Sequence, residues 1–413
     1  MIEIDMMNTD ILYPTFPKRL KVLFYAVNGI GLGHLTRLLA IAQNLKINFP
    51  ESDLLFITSS DADNILSKEG IPYIHLPSKT VVGQSGTLTY RKMGRLYNAL
   101  VNAVYDNFQP HILVVDTMVT GSFHDLLNIL RFGNCFKVFV HRARKIEAYE
   151  QSVIQAQRFY NLVIAPHYKN AEIIPMPIGF DVPLFWSGPV MLTNKESAEE
   201  RESVRKRLNV SNEENLVFIS LGGGGDASNE QTLLSVFNVL ANFKNNIKIL
   251  LAEGLLSNAT VIRQVIDKNI WLENKIIRSN EYPVANFFNA VDLAISGAGY
   301  NTFHELLYFG IPSIFIPKVR GYDDQLARAK MAESKNACLV CEEDENFEIN
   351  FYRKWQELEN VEKQNELKEN SLQLIPKNFA DQAAKAILSE LNELYKEDLL
   401  ITEENKDDEN TSK

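Results

Sequence analysis

The 413-residue chain is poor in cysteine, with only three residues of this type. Cys338 and Cys341 form a single C-x-x-C motif within the apolar stretch ACLVC, and Cys135 is distant in sequence. A structural zinc site needs further ligands, which this single motif does not supply. We therefore interpret the cysteines as buried thiols, with a redox pair as the alternative.

The chain also lacks an excess of positive charge and a long apolar run. It carries 42 lysine and arginine residues against 52 aspartate and glutamate residues, a net charge of −10. This balance disfavours nucleic acid as a partner, because no surplus of cations is available to neutralise phosphates. No apolar run approaches the ~18 residues that span a bilayer. The acidic start MIEIDMMNTD does not resemble a signal peptide, so we expect a cytoplasmic location.

The pattern of short apolar segments alternating with helical segments predicts two α/β domains with parallel sheets. A chain of 413 residues exceeds the size at which one core stops growing, which also favours two domains. The predicted strands of the first half are 22–27, 54–58, 73–76, 112–115, 137–140 and 162–165. Those of the second half are 216–221, 247–252, 275–279, 292–296 and the apolar stretch 311–317.

Composition marks the predicted domain boundaries. A proline-rich stretch is followed by a charged one, which predicts a linker over residues 189–213. The first domain then covers 1–188 and the second 214–377. An amphipathic helix is predicted over 378–396, and the acidic tail 397–413 is expected to be disordered.

The stretch from residue 296 to residue 305 carries the strongest functional signal. A strand ends in a glycine-rich turn, and a helix is predicted to begin near Asn301, so free backbone N–H groups and a positive dipole end form an anion site. About one helical turn further on, Glu305 can accept both hydroxyls of a ribose. This pattern predicts a nucleotide-sugar site, whereas the alternative is an ordinary strand-turn-helix connection. The site residues predicted here are Gly297, Gly299, Asn301, Thr302 and Glu305.

A second glycine turn lies near the start of the chain. The strand 21–27 leads into a turn that contains Gly31 and Gly33, and His34 opens an amphipathic helix. A dinucleotide fingerprint requires glycine where His34 stands and an acidic residue further on, so a Rossmann dehydrogenase is disfavoured. His34 is instead a candidate general base, with a helix-capping or packing histidine as the alternative.

A run of glycines follows the first strand of the second half, and Gly222, Gly223 and Gly224 are predicted to wrap the donor's phosphates. The alternative is a flexible loop. Such an anion site needs no metal, and no cofactor is expected. Asp61 and Asp63 spell D-x-D, but they lie at a predicted helix start, where acidic residues are ordinary caps.

Together the motifs resemble the GT-B glycosyltransferases, in particular the branch that contains the bacterial peptidoglycan-precursor N-acetylglucosaminyltransferase. In that branch a glycine turn ends in Gly-His before a helix, as Gly33-His34 does here. The second motif is similar to the nucleotide-sugar motif of small-molecule glycosyltransferases, and Asp324-Gln325 match its closing acidic-Gln pair. That motif opens with a phosphate-contacting histidine, which Gly297 replaces in this chain. The resemblance covers residues 20 to 395.

The resemblance implies two domains facing a cleft, with the last helix crossing back to the first domain. It implies inverting, metal-independent transfer of a hexosyl group from a UDP-sugar, or a dTDP-sugar, to an acceptor hydroxyl. His34 would remove the proton, residues 278–284 would contact the base, and Asp324 and Gln325 would bind sugar hydroxyls. Asp116 would orient His34 or the acceptor, or else serve as a structural cap, and both interpretations stay open.

The acceptor is not specified by sequence. In the resembled architecture it binds the first domain, where the segments 80–95 and 141–145 are locally basic. These could receive a small-molecule, glycan, phosphorylated or lipid-linked acceptor, or an anionic membrane surface. The alternative is that they are solvated charges paired with carboxylates. Two other functions stay open, a nucleotide-sugar epimerase of the same fold and a non-catalytic nucleotide-sugar-binding subunit.

Overall fold

The computed structural model describes residues 16–27, 32–60, 64–169, 171–222, 228–243, 246–252 and 274–410, with the backbone alone at 228, 229 and 397–410. Two parallel sheets, one of seven strands and one of six, organise this part of the chain. The predicted fold class, two Rossmann-like parallel-sheet domains, is confirmed.

The first sheet consists of parallel strands from the first half of the chain. They are β1 Leu20–Ala26, β2 Ser52–Thr58, β3 Tyr73–His75, β4 Ile112–Asp116, β5 Phe136–Val140, β6 Leu162–Ala165 and β7 Leu184–Trp186. Their order is β3-β2-β1-β4-β5-β6-β7. The helices of this half are α1 Gly33–Asn48, α2 Asn64–Lys68, α3 Lys79–Ser85, α4 Tyr90–Phe108, α5 Leu127–Phe132 and α6 Gln151–Ala156.

The second sheet is also parallel throughout. Its strands are β8 Asn215–Ser220, β9 Ile247–Ala252, β10 Ile276–Ser279, β11 Leu293–Ser296, β12 Ser313–Phe315 and β13 Leu339–Val340, in the order β10-β9-β8-β11-β12-β13. The described helices are α7 Arg201–Arg207, α8 Ser228–Leu240, α9 Tyr300–Phe309, α10 Gln325–Glu333, α11 Phe347–Glu359, α12 Val361–Leu374 and α13 Ala380–Asn410.

The central strands are apolar along their whole length because helices cover both faces of each sheet. Every residue of β4 is buried, and Phe24 of β1 stacks on its register partner Phe56 of β2 with ring centroids 4.6 Å apart. The strands of a parallel sheet all end at one edge. The register of β1 with β4 pairs Tyr25 with Val115, so Asp116 lies beside the turn that leads to α1.

The last helix returns to the first domain, as the resemblance implies. Ala384, Ile387 and Leu391 of α13 are buried in the same core as residues of β1 and α1. In the structure this helix continues to Asn410, beyond the end predicted at 396. The segment has no glycine or proline to stop a helix, and its Leu, Glu and Lys residues favour one.

Most strands were predicted within two residues of their bounds, but β7 was missed. Its three residues lie inside the proline-rich stretch, and it forms the sheet's edge, where flanking prolines are tolerated. Cys338 and Cys341 are buried and unpaired, and burial raises the pKa of the Cys341 thiol to about 12. The predicted domain boundaries stay predictions.

Candidate functional site

A cavity of about 500 Å³ lies between the two sheets, at the edges where their strands end. In both sheets the order of successive strands reverses there, between β1 and β4 and between β8 and β11, a position where α/β proteins bind ligands. The first domain contributes Leu32, Gly33, His34, Thr36, Arg37 and Arg142. The second contributes Ser220, Gly222, Ala252, Glu305, Gln325 and the stretches 281–284, 299–302 and 320–323.

The first turns of α1 and α9 both line this cavity, one from each domain. α1 begins at Gly33 and α9 at Tyr300, and neither has a side-chain cap or an acidic residue in its first turn. Their backbone N–H groups and positive dipole ends are therefore available to an anion. The two glycine-turn motifs, far apart in sequence, thus face one site.

His34 is paired with Asp116 on the first-domain wall. Nδ1 of His34 lies 2.6 Å from Oδ1 of Asp116, whose side chain is fully buried, whereas 18% of the His34 side chain is exposed. An ionised carboxylate can only accept, so Nδ1 carries the proton and Nε2 is the nitrogen that can take another.

Arg37 holds the Asp116 carboxylate of this pair by two hydrogen bonds. Its Nε and Nη2 donate to the two oxygens of Asp116 at 2.7 Å each, and Thr117 Oγ1 donates to Oδ1 at 2.5 Å. Burial alone would raise the pKa of Asp116, but Arg37 and His34 outweigh it and lower that pKa. Asp116 therefore stays ionised inside the protein.

The charge state of His34 follows from the same surroundings. Burial lowers the pKa of His34, Asp116 opposes this, and the cations Arg37 and Arg142 reinforce it. The imidazole is therefore neutral near pH 7. A neutral imidazole with one nitrogen fixed by a carboxylate has the arrangement that a general base requires.

The second-domain wall carries Glu305 and Asn301. Glu305 is 5% exposed, lines the cavity and accepts no hydrogen bond within the described part of the chain. Burial raises the pKa of its carboxyl to about 7. The side-chain oxygen of Asn301 is also buried without a hydrogen-bond partner in those ranges. Both residues line the cavity, and Glu305 is the one predicted from the sequence to accept the hydroxyls of a ribose.

Of the predicted acidic-Gln pair Asp324-Gln325, only one member lines the cavity. Gln325 lines the cavity, and its Oε1 accepts from the backbone N–H of Lys318 at 3.0 Å. Asp324 does not line it, because its carboxylate caps α10 by accepting from Ala327 N at 3.0 Å. Asp323 lines the cavity instead and is paired with Arg142 at 3.1 Å and Arg328 at 2.9 Å.

The predicted glycines also separate into groups. Gly33, Gly222 and Gly299 line the cavity, and Gly222 has a φ of +124°, which favours glycine. Gly297 is buried and does not line the cavity. A Cβ added to Gly297 would lie 3.5 Å from the carbonyl oxygen of Leu221. Gly31, Gly223, Gly224 and the pair Asp61 and Asp63 lie outside the described residues.

Side chains from both domains meet at the cavity's rim. The hydroxyls of Thr36 and Tyr282 are hydrogen-bonded, and Tyr282 belongs to the loop predicted to contact the base. Tyr300 donates to the carbonyl of Pro166 at 2.5 Å, and Tyr322 O accepts from Lys145 N at 3.0 Å. These contacts hold the first turn of α9 beside the first turn of α1.

Several residues of the site were not predicted. Arg37 lies one helical turn after His34, so i,i+3 spacing from a candidate base could have indicated it. Arg142 lies two residues after the end of β5, and its basic segment was predicted to receive the acceptor or an anionic membrane rather than to line the base's surroundings. Tyr282 lies in the segment 278–284 that was predicted to contact the base. Asp323 gives no local signal, because its place at the cavity depends on the packing of two domains.

The side chains and helices of the described ranges bear on metal binding and on membrane insertion. These ranges contain no group of three or more His, Cys, Asp or Glu side chains arranged to hold a metal ion. Within the same ranges, no helix combines the length and the apolar composition that crossing a bilayer demands.

Comparison with solved structures shows the fold class. The chain is similar to MurG of Acinetobacter baumannii, with a TM-score of 0.58 and 14% identity over 90% of this chain and 99% of that one. A protein from Listeria monocytogenes assigned as a UDP-N-acetylglucosamine 2-epimerase gives a TM-score of 0.65 at 13% identity, covering 92% and 97%. The protein has the GT-B fold.

Sequence comparison narrows the class. Residues 217–387 match the model of the glycosyltransferase family 28 C-terminal domain. Curated relatives include the UDP-N-acetylglucosamine–N-acetylmuramyl-(pentapeptide) pyrophosphoryl-undecaprenol N-acetylglucosamine transferases. The Rickettsia bellii protein is 28% identical over 44% of this chain and half of its own length. The Finegoldia magna protein is 21% identical over 90% of this chain and 98% of its own length.

Proposed function

We propose that this chain transfers a hexosyl group from a UDP-sugar to an acceptor hydroxyl, with inversion at the anomeric carbon and without a bound metal. One observation carries the proposal. A His–Asp base on one domain and, on the other, a helix N-terminus without a side-chain cap line the same cavity, together with a buried carboxyl that accepts no hydrogen bond in the described ranges. The first supplies a proton acceptor, and the second supplies a binding site for a nucleotide diphosphate.

The donor half of the proposal rests on the second domain. The N-terminus of α9 and Gly222 offer backbone N–H groups to the diphosphate. Glu305 accepts the ribose hydroxyls, and Gln325 contacts the sugar. Residues 281–284 line the cavity, and we assign the loop 278–284 to the base. UDP is favoured because the relatives' names contain UDP-N-acetylglucosamine, and dTDP is the second candidate.

In the proposed reaction, Nε2 of His34 takes the proton of the acceptor hydroxyl while its oxygen forms a bond to the anomeric carbon. The bond from that carbon to the diphosphate breaks on the opposite face, and its electron pair leaves with the nucleotide. Asp116 stabilises the imidazolium that forms. The helix dipole of α9 stabilises the charge on the leaving diphosphate, so turnover is expected to survive EDTA. Loss of turnover in EDTA, restored by Mg²⁺ or Mn²⁺, would contradict this design.

A second cavity, of about 510 Å³, supports an anionic acceptor. It lies on the first domain, and the cations that line it are Lys79, Arg91 and Arg95. No aspartate or glutamate lines it, and these cations form no ion pair with any residue of the described ranges. Three cations in one concavity of an acidic protein, without an ion pair among the described residues, favour a phosphate or diphosphate group.

Helix α4, which carries Arg91 and Arg95, also offers an apolar surface. On α4, Tyr90 is 56% exposed, and Leu96 and Leu100 are each 48% exposed. Apolar side chains next to cations suit an acceptor whose phosphate is linked to a lipid, and a peripheral contact with an anionic membrane. The relatives' names contain a pyrophosphoryl-undecaprenol acceptor.

A thermal-shift panel of UDP-, dTDP- and GDP-sugars tests the donor half, with an upward shift expected for UDP-sugars. Incubation with the donor alone, followed by product analysis, then distinguishes the alternatives. An epimerised sugar would indicate the epimerase, and binding without any product from any acceptor would indicate a binding subunit. Absence of a shift with every nucleotide sugar would overturn the proposal.

The acceptor half is tested by the triple variant Lys79→Ala, Arg91→Ala, Arg95→Ala. We expect KM for a diphosphate-lipid acceptor to rise at least ~10-fold while KM for the donor is unchanged. The control removes three exposed cations of the second half of the chain, Lys206, Lys335 and Arg353. Equal effects of the two triple variants would show that only net charge matters.

A further inference from the structure

Arg37 contacts both domains at once. Its Nε and Nη2 donate to Asp116 at 2.7 Å each, and its side chain is 1% exposed. Its guanidinium carbon lies 4.9 Å from the centroid of the Tyr300 ring, the first residue of α9 in the other domain. No other role in the proposed mechanism requires a fully buried arginine at this position.

The two hydrogen bonds from Arg37 fix the orientation of the Asp116 carboxylate. A bidentate guanidinium pair is geometrically specific, because both oxygens must lie in the plane of the fork. Oδ1 of the carboxylate so fixed is the atom that lies 2.6 Å from His34 Nδ1. Without Arg37, the donors to this carboxylate that remain among the described residues are His34 and Thr117, both on Oδ1.

The aromatic partner of Arg37 is itself fixed by the first half of the chain. Tyr300 donates its hydroxyl to Pro166 O at 2.5 Å and accepts from Val190 N at 3.1 Å. The ring can lie against the guanidinium only when α9 is docked on the first domain. A buried cation on an aromatic face is held more tightly than one in water.

We propose that Arg37 is a positioning residue that aligns Asp116 with His34, and that its contact with Tyr300 ties this alignment to the closure of the two domains. The inference rests on the proposed role of His34 as the base. It adds that the base is fully prepared only when the donor-binding domain is closed over it.

The charges that face His34 determine whether its pKa rises or falls when Arg37 is replaced. These are Asp116 at the end of β4, Arg37 on α1 and Arg142 after β5, with Asp323 of the second domain facing Arg37 and Arg142. Removal of the Arg37 charge takes away one of the two cations that lower the pKa of His34 and leaves Asp116, which favours the imidazolium. The pKa of His34 is therefore expected to rise.

The test is NMR titration of the histidine rings, which does not depend on turnover. The chain has seven histidines, and the His34 signals are assigned by their loss in His34→Gln. Arg37→Met is compared with Arg37→Lys, which keeps the charge, and with Arg205→Met. Arg205 is a control because it is also a buried arginine paired with an aspartate, Asp292, but lies on α7, outside the cavity.

We expect the pKa of His34 to rise in Arg37→Met, to stay near the wild-type value in Arg37→Lys, and to be unchanged in Arg205→Met. Tyr300→Leu should give a smaller rise than Arg37→Met, and Tyr300→Phe, which keeps the ring, should give none. If Arg37→Met fails to fold, Arg37→Gln takes its place. An unchanged His34 titration in that variant overturns the inference, and an unchanged titration in Tyr300→Leu removes the link to domain closure. If the wild-type protein transfers no sugar although the pKa of His34 rises in Arg37→Met, the proposed function is overturned instead.

Discussion

The two walls of the interdomain cavity differ in how their buried polar groups are satisfied. On the first-domain wall, the Asp116 carboxylate accepts hydrogen bonds from His34, Arg37 and Thr117. On the second-domain wall, Glu305 and the Asn301 oxygen are buried and accept none within the ranges that the structure describes. On the first wall the carboxylate is satisfied and donors are left over, since Arg37 Nη1 and Arg142 Nε have no hydrogen-bond partner in those ranges. The second wall has acceptors without donors in the same ranges.

This difference between the walls matches their proposed roles, with proton transfer on the first wall and donor binding on the second. A buried acceptor without a donor costs about 1–3 kcal/mol, and a ligand that supplies hydroxyl donors offsets that cost on binding. The hydrogen bonds around Asp116 instead hold His34 in one orientation before any ligand arrives, which is what proton transfer requires. Changes to the first wall should therefore alter turnover, and changes to the second should alter affinity.

The largest expected effect is on turnover. His34→Ala should lower turnover by about 10² to 10⁴ and leave donor affinity within a few fold, because the donor contacts belong to the other wall. Turnover, nucleotide affinity by calorimetry and melting temperature are measured on one preparation. His111→Ala is a matched control, since His111 precedes the same strand β4 at its opposite end. A stable His34→Ala variant with near-normal turnover would remove His34 from the mechanism and leave it a packing residue.

The next effect is on affinity. Glu305→Ala should weaken UDP binding by roughly 1.5 to 3 kcal/mol, because the ribose loses a charge-assisted acceptor. Isothermal titration calorimetry measures it, with the exposed residue Glu345 changed to alanine as the control. Unchanged UDP affinity in a folded variant would mean that the ribose lies elsewhere, and the two walls would no longer differ in the way described.

Much of this comparison follows from local sequence signals. The apolar strands that precede both glycine turns, and the helices that follow, predict that His34 and Glu305 stand at the C-terminal ends of parallel strands. These signals are strong because a strand covered on both faces must be apolar along its length. The chemistry of the second wall was predictable for the same reason, since Asn301 and Glu305 belong to one helix and their spacing fixes their common direction.

The parts that the sequence does not predict depend on long-range packing. Arg37 and Asp116 are 79 positions apart, and whether Asp116 orients His34 or caps a strand end was open until the distance was known. The structure favours orientation. The choice between Asp323 and Asp324 depends on which of two adjacent carboxylates caps α10, and a shift of one residue reverses it. No local pattern fixes that choice.

A third test uses the raised pKa of Glu305. The folded protein favours the protonated carboxyl up to about pH 7, while the unfolded chain ionises near 4.5, so this group makes stability fall as pH rises from about 4.5 through 7. Glu305→Gln removes that loss. We expect the variant to be more stable than the wild type at pH 8, by roughly 1–3 kcal/mol, and the difference to fade towards pH 5. Urea denaturation at several pH values measures it, and a pH-independent difference would mean that Glu305 does not titrate in this range.

The smallest expected effect distinguishes the two members of the acidic-Gln pair. Because Asp324 caps α10, Asp324→Ala should cost about 1 kcal/mol of stability and leave donor affinity unchanged. Gln325→Ala, at a residue that lines the cavity, should weaken UDP-sugar binding several-fold and UDP binding less, since its predicted contact is with the sugar. Thermal melting and calorimetry with both ligands separate the two outcomes. Loss of sugar-dependent affinity in Asp324→Ala, with its melting temperature unchanged, would show that Asp324 binds the donor after all, as the sequence resemblance implies, and that Asp323 does not take its place.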